Sequence, residues 1–430
     1  MEDKTNDELL ELVKQDNYDA MMELADRYLN GTEGAEQNYE EAFKLYTKVA
    51  ATEDEEALYM QAFCYVNGYG VPQDAEKAME IYKSEKFQDS VDATYMLGYM
   101  FFMGLGIEKD YEIARRYFEK SANEEDKDSL FYLGNIYYEG LGVERDYTKA
   151  ASYFEKVADD KDASYYLGKM YFYGEGISKD YVLAKKYFEL AAENGNIEAN
   201  HFLGRIYYYG NEVEQDFTKA KEFFEKAKSS ELKDNNIYLG NLYLWGNGTE
   251  VDYRKARDYY EKDEAYKLNK YYTLEYAEIL VLDTTSEEED IKVAIDIYEN
   301  LKESLEFESL CKFRLAQIYI KGLKVEKNFD VAKKYLEEII KSAKPFDMMK
   351  EVLYMLGGIY YDSKEYAASK RYFEASVKHG SLDANYYLGK MYYYGYDVDK
   401  DFDKAKTYFD KIIESDSHFK NDAEDYISKM

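Results

Sequence analysis

Small and apolar residues recur along the chain with one long period. A four-residue motif, two mostly aromatic residues followed by Leu and Gly, recurs every 34 to 36 residues in its first five copies. Its glycine, here called the marker glycine, is Gly98, Gly134, Gly168, Gly204, Gly240 and Gly389. Weaker copies place Ala25, Ala62, Ala316 and Gly357 at this position, and the stretch around Glu275 fills the missing one. About eleven units of roughly 36 residues therefore cover nearly the whole chain.

Each unit contains two segments with helical periodicity. In one unit Ala163, Leu167 and Tyr171 are spaced so that their side chains share one helix face. A Gly-x-Gly loop then ends this first helix, as glycine does where a positive φ is needed. An acid at the start of the second helix can accept the free N–H groups of the first turn. This acid recurs as Asp110, Asp146, Asp180, Asp216, Asp252 and Asp401.

Small residues in both helices predict that the two helices approach each other closely. The marker glycines of the first helix are matched by Ala114, Ala150 and Ala184 in the second. Neither helix can bury its apolar face alone, so neighbouring units must stack. The pattern therefore predicts an all-α fold of stacked helix pairs without a sheet.

Charge and composition narrow the range of functions. The chain of 430 residues has 56 Lys and Arg against 88 Asp and Glu, a net charge of −32, which disfavours direct binding of nucleic acid. No apolar run approaches the roughly 18–20 residues of a membrane-spanning helix. The charged N-terminus lacks the apolar segment of a secretory signal. We therefore expect a cytoplasmic protein that does not bind membranes, with 51 Tyr as its unusual feature.

The order of these residues resembles a known repeat family. The unit from Asp128 to Ala158 follows the pattern A-x-x-x-L-G-x-x-Y-x-x-G-x-G-V-x-x-D-x-x-K-A-x-x-Y-F-x-K-A almost position for position. This pattern is similar to the Sel-one-like repeats (SLR), a branch of the tetratricopeptide (TPR)-like superfamily. The resemblance implies a right-handed superhelical α/α solenoid of about eleven helix-turn-helix repeats. It also implies an adaptor or scaffold that holds other proteins.

The regularity of the repeats predicts five segments. Residues 1–18 and 416–430 are expected to be terminal caps, because end units need a polar outer face. Repeats at 19–262 form a first arc, and repeats at 309–415 form a second arc. The stretch 263–308 lacks the Gly-x-Gly loop, so we predict a degenerate repeat that acts as a hinge.

No motif points to catalysis, a metal or a cofactor. Nucleotide-binding glycine loops follow a strand and open a helix, whereas the Gly-x-Gly loops here close a helix. Asp397–Asp403 has alternating acids like a calcium-binding loop, but Phe402 replaces its glycine and Tyr408 its final glutamate. Two distant Cys and three His provide no Cys/His or Ser/His/Asp set. We predict no catalytic residues, no metal site and no cofactor.

Positions that packing leaves free are the candidates for partner binding. Residues three and four after the marker glycine are nearly always apolar or aromatic, which indicates packing, whereas those one and five after it vary. These two variable positions share the face that lines the groove in TPR-like folds. Trp, Tyr and Arg are enriched at binding hot spots, although a Tyr-rich composition alone could also place rings there. The candidates are Asn135, Lys169, Tyr173, Arg205, Tyr209, Asn241 and Trp245.

An acidic residue also lies six residues before most marker positions. Negative charge there stabilises a helix N-terminus by about 0.3–1 kcal/mol. The same column could form an acidic edge for a basic partner, and the sequence leaves both interpretations open. The residues are Asp19, Glu56, Asp92, Asp128, Asp162, Glu198, Asp234, Glu351 and Asp383.

Three classes of function remain. The leading hypothesis is a non-enzymatic scaffold that binds a protein or peptide partner in the concave groove of the solenoid. The alternative is an acidic decoy that occupies a basic nucleic-acid-binding protein. A hydrolase similar to the secreted cysteine-rich branch of the family is less consistent with the sequence, because the paired cysteines of that branch are missing.

Overall fold

The computed structural model describes residues 1, 3–230, 232, 234–262, 265–342 and 345–430. Over these residues the chain is all-helical, with 24 α-helices, three short 3₁₀-helices and no β-strand. It divides into two compact units, Met1–Leu232 and Lys233–Met430. The all-α fold class predicted from the repeats is confirmed.

The first unit consists of one helix followed by six helix pairs. In each pair the first helix carries the marker position and the second helix packs against it. Short 3₁₀-helices at Glu85–Phe87 and Glu155–Val157 follow α5 and α9. The α-helices are α1 (Asn6–Val13), α2 (Tyr18–Asn30), α3 (Tyr39–Ala50), α4 (Glu55–Asn67), α5 (Ala75–Tyr82), α6 (Val91–Met103), α7 (Tyr111–Ala122), α8 (Lys127–Glu139), α9 (Tyr147–Phe154), α10 (Lys161–Tyr173), α11 (Tyr181–Glu193), α12 (Ile197–Tyr209) and α13 (Phe217–Lys226).

The second unit consists of five helix pairs followed by one helix. A 3₁₀-helix at Ala265–Leu268 precedes α16. The α-helices are α14 (Asn235–Trp245), α15 (Tyr253–Lys262), α16 (Lys270–Leu282), α17 (Glu288–Leu301), α18 (Glu308–Lys321), α19 (Phe329–Lys341), α20 (Met349–Asp362), α21 (Tyr366–Lys378), α22 (Ala384–Tyr394), α23 (Phe402–Ile413) and α24 (Lys420–Ser428).

Capping residues determine where the helices begin and end. Most first helices end at a glycine in the left-handed conformation, for example Gly174 with φ 77°. At the start of the second helices, an Asp side chain accepts a hydrogen bond of 2.8–3.0 Å from the backbone N–H three residues later. The predicted caps Asp110, Asp146, Asp180, Asp216, Asp252 and Asp401 are thereby confirmed.

In the seven helix pairs that carry a marker glycine, a ring of the second helix packs directly against it. A Cβ atom on Gly168 would lie 2.6 Å from two ring carbons of Phe188, much closer than carbon atoms normally pack. All the rings in such contacts are fully buried. The close approach predicted from the small residues is confirmed. The equivalent contacts are Gly98–Phe118, Gly134–Phe154, Gly204–Phe224, Gly240–Tyr260, Gly357–Phe373 and Gly389–Phe409.

The same ring also joins one repeat to the next. Phe188 stacks on Phe202 of α12, with ring centroids 4.8 Å apart and planes 10° apart. One side chain therefore closes its own helix pair and contacts the following pair, which is the nearest-neighbour coupling of a solenoid. Equivalent stacks are Phe118–Tyr132 and Phe154–Tyr166 in the first unit and Phe373–Tyr387 in the second.

A second set of stacked rings uses the residues three after the marker glycine. Tyr171 stacks on Tyr187 of α11, with centroids 5.6 Å and planes 7° apart. Such pairs stabilise a helix interface by about 0.5–1.5 kcal/mol beyond the burial of area. The prediction that this position serves packing is confirmed. Equivalent pairs are Phe101–Tyr117, Tyr137–Tyr153, Tyr207–Phe223, Tyr243–Tyr259 and Tyr392–Tyr408.

The described part of residues 263–308 folds as a helix pair although it lacks the Gly-x-Gly loop. Leu274 of α16 and Tyr298 of α17 belong to one buried core. The Tyr298 hydroxyl donates a hydrogen bond of 3.0 Å to Glu278. The division between the two units lies earlier in the chain, after Leu232. The hinge at 263–308 and the terminal caps, where α1 and α24 lie, stay predictions.

Two adjacent glycines in α20 allow a matched test of the glycine contact. A Cβ atom on Gly357 would lie 2.6 Å from a ring carbon of Phe373, whereas a Cβ on Gly358 would meet no atom within 4 Å. We expect Gly357→Ala to lower the free energy of unfolding by about 1–3 kcal/mol, because the ring must be displaced. Gly358→Ala should raise it by up to about 1 kcal/mol, because alanine favours the helix.

Urea unfolding followed by circular dichroism measures both substitutions under the same conditions. Equal effects of the two alanines would contradict the packing role of the marker glycine.

Candidate partner-binding surface

Residues one and five after the marker glycine form a surface along the first helices of the first unit, here called the first-helix face. It runs along α6, α8, α10 and α12. The side chains five after the glycine are exposed, and they are Met103, Glu139, Tyr173 and Tyr209. Those one after it are half-buried, and they are Tyr99, Asn135, Lys169 and Arg205. The two columns therefore differ in how much of each side chain a partner can contact.

Arg205 and Tyr173 contact each other across adjacent repeats. Arg205 Nη1 lies 3.4 Å from the Tyr173 hydroxyl and donates a hydrogen bond to it. The guanidinium also lies over the rings of Phe172 and Phe202, at 4.9 and 5.7 Å from their centroids. Tyr173 is 44% exposed and Tyr209, at the end of α12, is 50% exposed. The structure thus joins two predicted residues that lie 32 positions apart in the sequence.

Lys169 lies among aromatic rings of its own and the preceding repeat. Its Nζ is 5.2 Å from the ring centroid of Tyr138, 5.5 Å from that of Tyr165 and 5.4 Å from that of Tyr166. Burial lowers the pKa of the Lys169 ammonium, while nearby glutamates oppose this shift. Lys169 therefore stabilises the contact between two repeats through its charge and the rings. Lys390 has the same surroundings in the second unit, over Tyr361, Tyr386 and Tyr387.

The two predicted residues of the second unit differ in exposure. Trp245, at the end of α14, is 54% exposed. Asn241 is buried, donates a hydrogen bond of 3.2 Å to Glu275 and accepts one from the Tyr260 hydroxyl. The Tyr260 hydroxyl oxygen also lies 2.6 Å from Glu275 Oε2, and burial raises the pKa of the Glu275 carboxyl. The Asn241 side chain thus belongs to a buried network, and its predicted place on a binding surface does not fit this burial.

The thiols are poor candidates for nucleophiles. Cys64 and Cys311 are both buried, and burial raises the pKa of each thiol to about 12. At neutral pH both are protonated, and the thiol is a much weaker nucleophile than the thiolate.

Among the described residues, no group of three His, Cys, Asp or Glu side chains is placed to hold a metal ion. No described helix is long and apolar enough to cross a membrane.

Comparison with known families identifies the repeat. A model described as Sel1 repeat matches nine stretches that together cover more than half of the chain: residues 19–51, 55–84, 91–126, 127–162, 161–196, 197–230, 236–262, 309–341 and 382–417. The chain belongs to the Sel1 repeat family. The Sel1 matches leave out 263–308, which lacks the Gly-x-Gly loop, and 342–381, where the loop after α20 is short.

Comparison with solved structures finds proteins that are similar to this chain. One is c5321, described as a protective antigen present in uropathogenic Escherichia coli strains displaying an SLR fold. It is 23% identical over 100% of this chain and 91% of that chain, with a TM-score of 0.62. A Sel1 repeat protein from Oxalobacter formigenes is 23% identical over 66% of this chain and 98% of that chain, with a TM-score of 0.42. No curated protein sequence matches significantly.

The family and the fold give a general expectation for function. Solenoids of Sel1 or TPR-like repeats are commonly scaffolds for protein interactions, because stacked repeats create extended binding surfaces.

Asn241 and Asn135 occupy the same repeat position and provide a matched pair. Asn241→Ala should lower the free energy of unfolding by about 1–3 kcal/mol, because Tyr260 and Glu275 lose a buried hydrogen-bond partner. Asn135 is half-buried and makes no side-chain hydrogen bond with a described residue. Asn135→Ala should therefore change the stability by at most about 0.5 kcal/mol. Thermal unfolding measures both, and a loss at Asn135 as large as that at Asn241 would contradict the distinction.

Proposed function

We propose that this Sel1 repeat protein is a non-enzymatic scaffold that binds an extended peptide or a helix of a partner protein along the first-helix face. In a TPR-like solenoid this face lines the concave groove. The observation that carries the proposal is the pair of exposed rings on adjacent first helices. Tyr173 and Tyr209 lie at the ends of α10 and α12, and Arg205 contacts Tyr173.

The exposure of these two rings supports a binding role. Rings at other positions of the same repeats, such as Phe172 and Tyr207, are buried by packing between helices. Neighbouring exposed aromatic side chains on a folded surface often mark an interaction site. Tyr and Arg are also the types that contribute most to binding energy when a partner covers them.

The surface is organised before a partner binds. The Tyr173 ring contacts Phe202 edge to face, with centroids 6.1 Å apart, and Phe202 is itself buried. Arg205 is held over Phe172 and Phe202. Side chains that already occupy their bound positions lose less conformational entropy on association. Asn135 and Lys169 flank this site on α8 and α10 and would contact a partner through their exposed parts.

Two further predictions accompany the proposal. Trp245 is the candidate contact of the second unit, and Asn241 is left out because it is buried. The cytoplasmic location expected from the sequence stays a prediction.

Alanine substitutions on the first-helix face test the proposal. A random dodecapeptide library displayed on phage is selected on the full chain, and an enriched peptide is synthesised with a fluorescent label. Fluorescence polarisation then gives its Kd for the parent and for Tyr173→Ala, Arg205→Ala and Tyr209→Ala. We expect each substitution to weaken binding by about 1–3 kcal/mol, which is a factor of roughly 5 to 150.

Tyr18→Ala is the control, because Tyr18 is also exposed, at 46%, but lies at the start of α2 and off the first-helix face. It should leave the Kd unchanged. Unfolding curves of all variants show whether the fold is kept. Unchanged affinity in all three face variants would contradict the assignment of this surface.

A further inference from the structure

A cavity of about 370 Å³ opens in the first unit beside the N-termini of α8 and α10. Aromatic side chains and carboxylates line it together. The rings are Tyr95 of α6 and Phe131 and Tyr132 of α8. The acids are Asp128, Asp159, Asp160 and Asp162, and Lys127 is the one cation among the lining residues.

The negative charge of this cavity is only partly balanced by the chain itself. Lys127 forms an ion pair of 2.6 Å with Asp159. Asp160 accepts hydrogen bonds from the backbone N–H groups of Asp162 and Ala163, and the Asp162 side chain accepts one of 3.1 Å from the Asn196 amide. No described cation lies within 4 Å of Asp128, Asp160 or Asp162. Burial and the neighbouring Asp126 and Asp160 raise the pKa of the Asp128 carboxyl.

The rings of the cavity are fixed by the core. Tyr132 stacks on Phe118 with centroids 5.1 Å apart, and Phe131 contacts Phe154 at 5.9 Å. The face of an aromatic ring attracts a cation within about 6 Å of its centroid. This chain already uses that attraction for Lys169, which lies over three tyrosine rings.

Acids and an aromatic ring also line a cavity of the second unit. The second unit contains a cavity of about 540 Å³ lined by Glu351, Tyr354 and Asp383, among others. Glu351 and Asp383 lie six residues before their marker glycines, as Asp128 and Asp162 do, and Tyr354 lies three before, as Phe131 does. The repeat itself therefore brings two acids and a ring together at such a cavity.

We propose that the cavity of the first unit binds a lysine or arginine side chain from a basic segment of the partner polypeptide. Carboxylates and ring faces both favour a cation, and a guanidinium can stack on a ring and bind a carboxylate at once, so arginine should bind more tightly than lysine. The net charge of −32 attracts basic segments over longer distances. This proposal rests on the proposed function and adds the chemistry of the partner.

The test is a double-mutant cycle that combines a change in the protein with a change in the peptide. Peptides selected from the dodecapeptide library should share one basic position. In a labelled peptide that carries arginine at this position, replacing the arginine by citrulline removes the charge and keeps the shape. Asp128→Asn with Asp162→Asn removes two charges from the cavity. We expect each change alone to weaken binding at least tenfold, and the two together to weaken it little more than either one.

A control carries the same change in net charge at another place. Glu76→Gln with Glu108→Gln alters exposed acids of α5 and of the loop after α6, and it should change the Kd less than twofold. If both double variants weaken peptide binding equally, the cavity is not the site. The same holds if the losses of affinity from the protein change and the peptide change multiply, because the two changes then act independently. Selected peptides without a shared basic position would overturn the cavity as the site as well.

The outcomes also separate this proposal from the scaffold function. Peptides that respond to Tyr173→Ala and Tyr209→Ala but not to the Asp128 and Asp162 changes overturn the cavity proposal and leave the scaffold function standing. A library that yields no enriched peptide overturns both.

Discussion

The contact between a marker glycine and one buried ring sets the geometry of the seven helix pairs that carry this glycine. In these pairs a side chain on the glycine would overlap the ring, so the helices come this close only where the first helix has no Cβ atom, whereas other repeats carry Ala25, Ala62 or Ala316 at the marker position. The ring then presents its other face to the next repeat, as Phe188 does when it lies against Gly168 and stacks on Phe202. Each repeat is therefore specified by an interaction that also joins it to the next repeat, and the fold needs no large central core.

This constraint decides which positions are left for function. Rings two and three before the marker glycine, and three and four after it, fill the space within and between pairs, and Phe131 and Tyr132 of the first group also line the acidic cavity. What remains on the first helices is the acid six before the glycine and the residues one and five after it. In the structure these variable positions differ in exposure. Cations one after the glycine contact neighbouring rings, as Lys169 and Arg205 do, while the rings five after it, Tyr173 and Tyr209, stay exposed. A partner therefore meets exposed rings with an arginine beside one of them, and carboxylates nearer the helix N-termini.

The sequence was sufficient for the fold because each rule acts within one repeat. The period, the capping aspartates and the small residues of both helices depend on residues fewer than 40 positions apart, and they recur often enough to be recognised. The packing role of Tyr171 and its equivalents followed from the constancy of that column. These features predicted the helix pairs and their boundaries closely.

The candidate surface was harder to predict because its contacts cross between repeats. The burial of Asn241 depends on Glu275, 34 positions later, in a stretch where the repeat pattern is weakest. The rings around Lys169 include Tyr138 of the preceding repeat, so a variable position in the sequence became half-buried in the fold. The acidic cavity likewise combines α6, α8 and α10. Variation between repeats indicated which positions are not fixed by packing within a repeat. It did not show which side chains at those positions reach the surface.

A double-mutant cycle on Gly168 and Phe188 tests the central interaction most directly. The free energy of unfolding is measured for Gly168→Ala, Phe188→Leu and the double variant. If the glycine is required only because the ring covers it, the smaller leucine leaves room for the added methyl group. The double variant should then be more stable than the sum of the single losses predicts, by about 1 kcal/mol or more. Additive losses would show that glycine and ring act independently, and they would contradict the account.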